Sequence, residues 1–346
     1  MTEAEIFPQR IAALAMRQGE RTALTFVPGS GAPRTTSYAQ LVARAASVAR
    51  FLAEHTARGD AVIVTVAELD AFCAGFLGIV AAGRVAVPVY PPLAPSEAER
   101  TRTVIQATGA RHLLCTADQL GSLERLRDEF QLTLHPVDRL EEGGDLPAPP
   151  APDEVAFLQF TSGSTGSPKG IVVTHRQLAE HLEAATGHSS VTADDVFCSW
   201  LPIFHDMGLV WMTLQPLWNG AHAVGMLPVT FIREPWRWLQ VLSEYGATVT
   251  ASPNFGYDLA VRKCAGRSLA GLDLRRVRIA LNAAERVWPA TLRAFHARFE
   301  EVGLASTALS AGYGLAEVIV AVCITRHGAA PRTLRVSRDA LESDGV

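Results

Sequence analysis

The sequence predicts an α/β protein of two lobes with mainly parallel sheets, and three observations carry that expectation. Short β-branched runs alternate with helical patterns from Ala61 onward, which favours parallel strands covered by helices. A Gly/Pro/acidic stretch, EEGGDLPAPPAP, interrupts the rhythm at Glu141–Pro152, and the alternation then resumes. The chain has 346 residues, whereas one hydrophobic core seldom grows beyond about 250–300, so two core-forming units are expected.

In order, Ala61–Val66 reads as a strand and Ala71–Ala82 as a helix, followed by a strand over Val85–Tyr90. The apolar helix falls short of the ~20 residues a membrane span requires. Ser96–Thr108, Arg111–Cys115 and Ala117–Phe130 continue as helix, strand and helix. Proline lacks an amide donor and glycine costs backbone entropy, so residues 141–152 cannot hold a helix or an interior strand. A boundary there gives units over 1–152 and 153–325, with 326–346 leading onward. In the second unit, Glu154–Phe160, Ile171–Thr174, Ala221–Met226, Ala247–Ala251 and Val277–Leu281 read as strands. His175–Ala185, Pro235–Tyr245 and Pro289–Glu300 read as helices.

Composition bounds the function. Hydrophobic residues make up 48% and charged residues 19%, as in a packed globular enzyme. A net charge of −4 gives no global basic field to draw in nucleic acid or an anionic membrane, so any anion site is local. Cys73, Cys115, Cys198, Cys264 and Cys323 have neither disulfide-framework nor zinc spacing and read as buried small hydrophobes in a reducing cytoplasm. The acidic N-terminus, MTEAEIFPQR, lacks the apolar core of a secretory signal.

Between the first two strands of the second unit lies Thr161–Gly170, TSGSTGSPKG. Gly163, Gly166 and Gly170 let backbone amides approach phosphate oxygens, Thr161, Ser162, Ser164 and Thr165 donate hydroxyl hydrogen bonds, and Lys169 supplies charge. The spacing matches no Walker ATPase loop, dinucleotide fingerprint or serine-hydrolase elbow. A plain Gly/Ser surface turn is the competing reading.

Three further segments carry candidate chemistry. Trp200–Gly208, WLPIFHDMG, places His205 and Asp206 ahead of an apolar run, either as a charged tip facing a ligand or as a helix-start capping pair. Asn282–Glu285, NAAE, follows a strand at the end where open α/β sheets hold ligands. Ala311–Glu317, AGYGLAE, offers an aromatic face, glycines and a carboxylate; alone it would read as a core aromatic and a surface acid.

These motifs resemble those of the acyl-adenylate-forming superfamily, which includes acyl-CoA synthetases, amino-acid adenylation domains, luciferases and fatty acyl-AMP ligases. The resemblance extends over essentially the whole chain and implies two stacked α/β subdomains. It implies that Thr161, Ser162, Gly163, Ser164, Thr165, Gly166 and Lys169 bind the ATP phosphates, with Lys169 and His205 catalytic. Asn282, Ala283, Ala284, Glu285, Gly312, Tyr313 and Gly314 would hold adenine, although Ala283 stands where the family usually has glycine. Glu317 would bind Mg²⁺. His205, Asp206, Met207, Gly208, Asn254 and Phe255 would face the acyl substrate.

Ala86–Pro92 (AVPVYPP), Phe231–Leu239 (FIREPWRWL) and Ser252–Leu259 (SPNFGYDL) are similar to fatty acyl-AMP ligases, and Pro331–Val346 looks like the opening of their insertion. The implied reaction is ATP-dependent activation of a fatty acid, followed by transfer to an acyl carrier protein in polyketide, nonribosomal peptide or lipid biosynthesis. An acyl-CoA synthetase, an aryl or amino-acid adenylating enzyme and a noncatalytic nucleotide- or acyl-binding module are the alternatives. A structural protein with an incidental loop is the last of them. The family's ribose-binding aspartate, the arginine after it and the C-terminal domain with its catalytic lysine are absent from this sequence, so the chain is expected to be a fragment that binds ATP or acyl substrate weakly without efficient adenylation.

Overall fold

The computed structural model describes residues 5–140, 143–161, 169–337 and 339. The chain opens with α1 (Phe7–Gln18), β1 (Thr22–Val27), β2 (Arg34–Ser37) and α2 (Tyr38–His55). The Ser37 side chain accepts the Gln40 amide while Gln40 reaches back to the Ser37 N–H, a reciprocal cap that starts α2. Next come β3 (Ala61–Val64), α3 (Leu69–Ala81), β4 (Val85–Pro88), α4 (Pro95–Thr108), β5 (His112–Cys115), α5 (Leu120–Phe130) and β6 (Thr133–Pro136).

The later elements are β7 (Val155–Thr161), β8 (Lys169–Thr174), α6 (His175–Ser189), β9 (Val196–Ser199), α7 (Gln215–Trp218), β10 (His222–Met226), α8 (Pro228–Arg233), α9 (Pro235–Glu244) and β11 (Val249–Ser252). After them come α10 (Asn254–Lys263), β12 (Ile279–Asn282), α11 (Pro289–Phe299), β13 (Leu309–Tyr313) and β14 (Cys323–Ile324).

Two mainly parallel sheets result, as the alternation predicts. One has the order β6-β5-β3-β4-β7-β8, and the other β14-β13-β12-β11-β9-β10-β1-β2. Among the described residues, antiparallel pairing is confined to β7–β8, β1–β2 and β13–β14. The division between sheets does not fall at residue 152. β1 and β2 join the later strands, β1 pairing in parallel with β10, while β7 and β8 extend the earlier sheet beside β4. A strand joins the edge whose ladder and buried face it completes, and chain proximity does not dictate that choice.

Every residue of α3, from Leu69 to Ala81, is buried, because the helix touches strands of both sheets. A helix enclosed on all sides is apolar nearly all round, which explains the run from Ala71 to Ala81; the one charge, Asp70 in the first turn, is buried against Arg34 and Arg44. One core cluster extends from α1 to the β13 region, and a smaller one lies under α4 and α5, around Ile63, Val87 and Leu113. Four cysteines are buried as expected; Cys323, on the short edge strand β14, is exposed. Among the described residues, no helix is long and apolar enough to cross a membrane.

Candidate functional site

The site segments leave the strands at their C-terminal ends. β7 and β8 form a hairpin in which Thr161 pairs with Lys169 and Phe160 with Gly170. Lys169 is exposed at its mouth. Ser162, Gly163, Ser164, Thr165 and Gly166 lie outside the described residues. Below the mouth, buried Gln159 donates from Nε2 to the Phe204 carbonyl at 2.8 Å, fastening the hairpin to the segment that carries His205. Gln159 is not among the residues expected from sequence; a lone amide in an apolar strand was the available signal.

That segment leaves β9 at Ser199 and enters a π-helix over Met207–Leu214. The Leu209 N–H donates to the His205 carbonyl at 2.7 Å, and the Thr213 hydroxyl to the Gly208 carbonyl at 2.8 Å. Gly208 is needed here because a Cβ would stand 2.0 Å from the Pro202 oxygen. Phe204 packs at 4.9 Å from Tyr90, so the AVPVYPP strand end buttresses this turn.

His205 Nδ1 lies 2.7 Å from Asp206 Oδ1, and the same carboxylate oxygen accepts the Met207 N–H at 2.6 Å. Asp206 therefore caps the helix start, as the capping reading expects, and the same oxygen also holds the histidine. Its hydrogen bond raises the His205 pKa above the ordinary imidazole value, partly opposed by burial. With Nδ1 directed to Asp206, Nε2 has no partner among the described residues.

At the end of β12 the four-residue turn divides its roles. Asn282 is fully buried and donates from Nδ2 to Asn254 Oδ1 at 3.1 Å. Asn254 Oδ1 also accepts the Trp288 N–H at 3.0 Å, and its Nδ2 donates to Thr291 at 3.2 Å. Glu285 accepts the Phe255 N–H at 2.6 Å, satisfying one free amide at the start of α10. Asn282, Asn254 and Glu285 thus bind the turn to α10 and α11, leaving Ala283 and Ala284 to face the site. Ala284 has φ +67°, a left-handed conformation unusual for alanine. The Phe255 ring is 43% exposed and meets Trp200 edge-on at 5.8 Å; Trp200 stacks on Phe231 at 3.9 Å.

Tyr313 ends β13 with its ring 63% exposed. Gly314 then allows close return of the chain, since a Cβ there would fall 1.7 Å from the Val320 oxygen. Within that return, Ile319 has φ +74° and the Val320 N–H donates to the Val318 carbonyl at 2.9 Å, a tight three-residue turn strained for a β-branched residue. Glu317 is exposed on the single turn Ala316–Val318 and has no side-chain partner among the described residues.

Three of these segments converge on one cavity of about 130 Å³. His205 through Met207 come from the first, Ala283 and Ala284 from the second, and Gly312 through Gly314 from the third. Small side chains and glycine backbone beside an exposed phenol ring suit a flat heteroaromatic ligand. Gly208, Asn282, Glu285, Asn254 and Phe255 do not line the cavity, the last two lying at the start of α10. No group of three or more His, Cys, Asp or Glu among the described residues is placed to hold a metal. A single free carboxylate such as Glu317 nevertheless fits Mg²⁺, which commonly takes one or two protein carboxylates and completes its shell with phosphate and water.

Comparison with known proteins gives the site its context. The family model described as AMP-binding enzyme matches residues 11–339. The long-chain-fatty-acid–AMP ligase FadD26 of Mycobacterium marinum is 32% identical over 352 residues, covering 96% of this chain and 60% of that protein. The medium-chain-fatty-acid–acyl-carrier-protein ligase TtuA of Teredinibacter turnerae is 30% identical over 340 residues, covering 85% and 53%. A fatty acyl-adenylate ligase from L. pneumophila, solved in complex with acyl adenylate and pyrophosphate, aligns with a TM-score of 0.88 at 29% identity, covering 94% of this chain and 58% of that one. This chain therefore spans between half and two thirds of the length of these relatives.

Proposed function

We propose a function from one premise: this chain belongs to the AMP-binding enzyme family. It is the nucleotide-binding part of a fatty acyl-AMP ligase, which joins a fatty carboxylate to ATP as acyl-adenylate. The observation that carries this reading is the convergence of His205, Ala283–Ala284 and Gly312–Gly314, three segments spread between residues 205 and 314, on one cavity. The names of FadD26 and TtuA support the fatty-acid branch.

In the proposed reaction a carboxylate oxygen attacks the α-phosphorus in line, the bond to the pyrophosphate oxygen breaks, and acyl-AMP and pyrophosphate result. Tyr313 presents its ring to adenine, with Ala283 and Ala284 on the adenine side. Lys169 and the hydroxyl-rich loop Thr161–Thr165 hold the departing phosphates, supplying charge where charge develops. Glu317 would hold a Mg²⁺ that offsets triphosphate charge. The fatty acid already carries its negative charge at neutral pH, so no general base is required. His205, its proton affinity raised by Asp206, orients the carboxylate as a donor.

Catalysis would rest on positioning and electrostatics without a protein nucleophile. In the whole protein the acyl group would pass to the phosphopantetheine thiol of an acyl carrier protein, in polyketide, nonribosomal peptide or lipid synthesis. The test is acyl-AMP formation from ATP and a panel of fatty, aryl and amino acids, followed by mass spectrometry. Fatty acyl-AMP is expected; turnover confined to amino or aryl acids would overturn the assignment.

A further inference from the structure

A second cavity, of about 620 Å³, lies between α11 and the irregular stretch 330–334. Its lining includes Val287, Leu292, Leu309 and Leu334, giving it an apolar floor. Arg293 enters from α11 and Arg332 from the opposite stretch. Neither guanidinium has an ion pair or hydrogen bond among the described residues, whereas His296, also in the lining, already faces Glu300 at 3.6 Å. The surroundings are basic as well: residues 286–337 hold six arginines against three glutamates, in a chain whose net charge is −4.

Apolar floor and free cations together specify an anionic amphiphile. The volume falls within the ~300–1,000 Å³ of small-ligand sites. A protein partner ordinarily needs about 800 Å² per side from 20–30 residues, far more surface than this groove offers. Guanidinium groups match a planar carboxylate through paired N–H donors. We propose that this groove binds a long-chain fatty carboxylate, its head between Arg293 and Arg332 and its chain along Leu292, Leu309 and Leu334. It is a site separate from the adenylate cavity, although its wall residue Ala311 stands two positions before Tyr313.

The test is photolabelling of the full chain with a diazirine-bearing laurate, with labelled peptides mapped by mass spectrometry. Labels are expected on α11 and on 330–334, removed by excess laurate but not by dodecanol, which lacks the charge. The double variant Arg293→Glu/Arg332→Glu should lose labelling there by about tenfold or more, the equivalent of ~1.4 kcal/mol or more. Labelling beside His205 should be unchanged. Both side chains are exposed, and near-ultraviolet circular dichroism with the milder Arg293→Gln/Arg332→Gln pair checks that folding is intact. No label in the groove, equal competition by dodecanol, or full labelling of a folded double variant would overturn the proposal. Groove labelling that persists while fatty acyl-AMP formation fails would separate this site from the proposed function.

Discussion

Replacing Gly314 with alanine is the sharpest local test of how the cavity is built. The added Cβ would stand 1.7 Å from the Val320 oxygen, 2.8 Å from its carbonyl carbon and 3.1 Å from Ala321 Cα, where ordinary contact begins at 3.4 Å. All three neighbours are backbone atoms, so no rotamer change relieves the clash and the chain itself must move. Overpacking of this kind costs about 1–3 kcal/mol. Val320 and Ala321 also line the cavity, so displacement reaches the ligand site. Urea unfolding should show the lost stability, and calorimetric titration should show weaker ATP binding. Gly121→Ala is the control: nothing lies within 4 Å of its Cβ, and helix propensity predicts no loss or a gain of up to ~1 kcal/mol. A Gly314→Ala protein with stability within ~0.5 kcal/mol of the parent, the range of ordinary surface substitutions, and unaltered ATP affinity would refute the reasoning.

Further predictions concern charge and strain. Asp206→Asn removes the group that raises the His205 pKa, so an NMR titration should find the imidazole deprotonating at lower pH; an unmoved midpoint would contradict the pairing. His135, His175 and His222 are each held down to about 4 chiefly by burial. Between the unfolded value near 6.5 and about 4, the unfolded chain binds protons that the folded one does not. Stability should therefore fall as pH drops through this window, by at most ~4 kcal/mol per pH unit if all three contribute. Urea midpoints that stay level from pH 7 to pH 5 would exclude this. Ala284→Gly relieves a left-handed alanine costing ~1–2 kcal/mol against a glycine entropy cost of ~0.5–1, so it should raise stability slightly; a loss above ~1 kcal/mol would contradict that.

Legibility from sequence followed the physics of each element. α3 was readable because burial on all sides leaves an apolar run from Ala71 to Ala81, β3 and β4 because short valine- and isoleucine-rich stretches alternate with it, and β5 because its short apolar run sits between two helical patterns. The sheet assignment of β1 and β2 was not readable, since their partner β10 lies far along the chain and hydrophobic periodicity says nothing about which edge a strand joins. The same limit applies within the site. Ala283, Ala284, Gly312 and Tyr313 lie on the cavity, but their neighbours Asn282 and Glu285 turn away to fasten α10. A four-residue motif gives a turn's position without revealing which of its side chains face inward. The capping reading of Asp206 is met at the helix start, whereas the bond from the same carboxylate oxygen to the neighbouring imidazole is a contact that spacing alone does not reveal.

The central claim is that three separated segments make one adenylate site, and binding of a nonhydrolysable acyl-adenylate analogue tests it most directly, because no turnover is needed. The account predicts that the chain binds the analogue and that Tyr313→Ala weakens binding about 5- to 150-fold, the equivalent of ~1–3 kcal/mol for one aromatic–base stack. No binding by the parent chain, or equal affinity of a folded Tyr313→Ala variant, would contradict it.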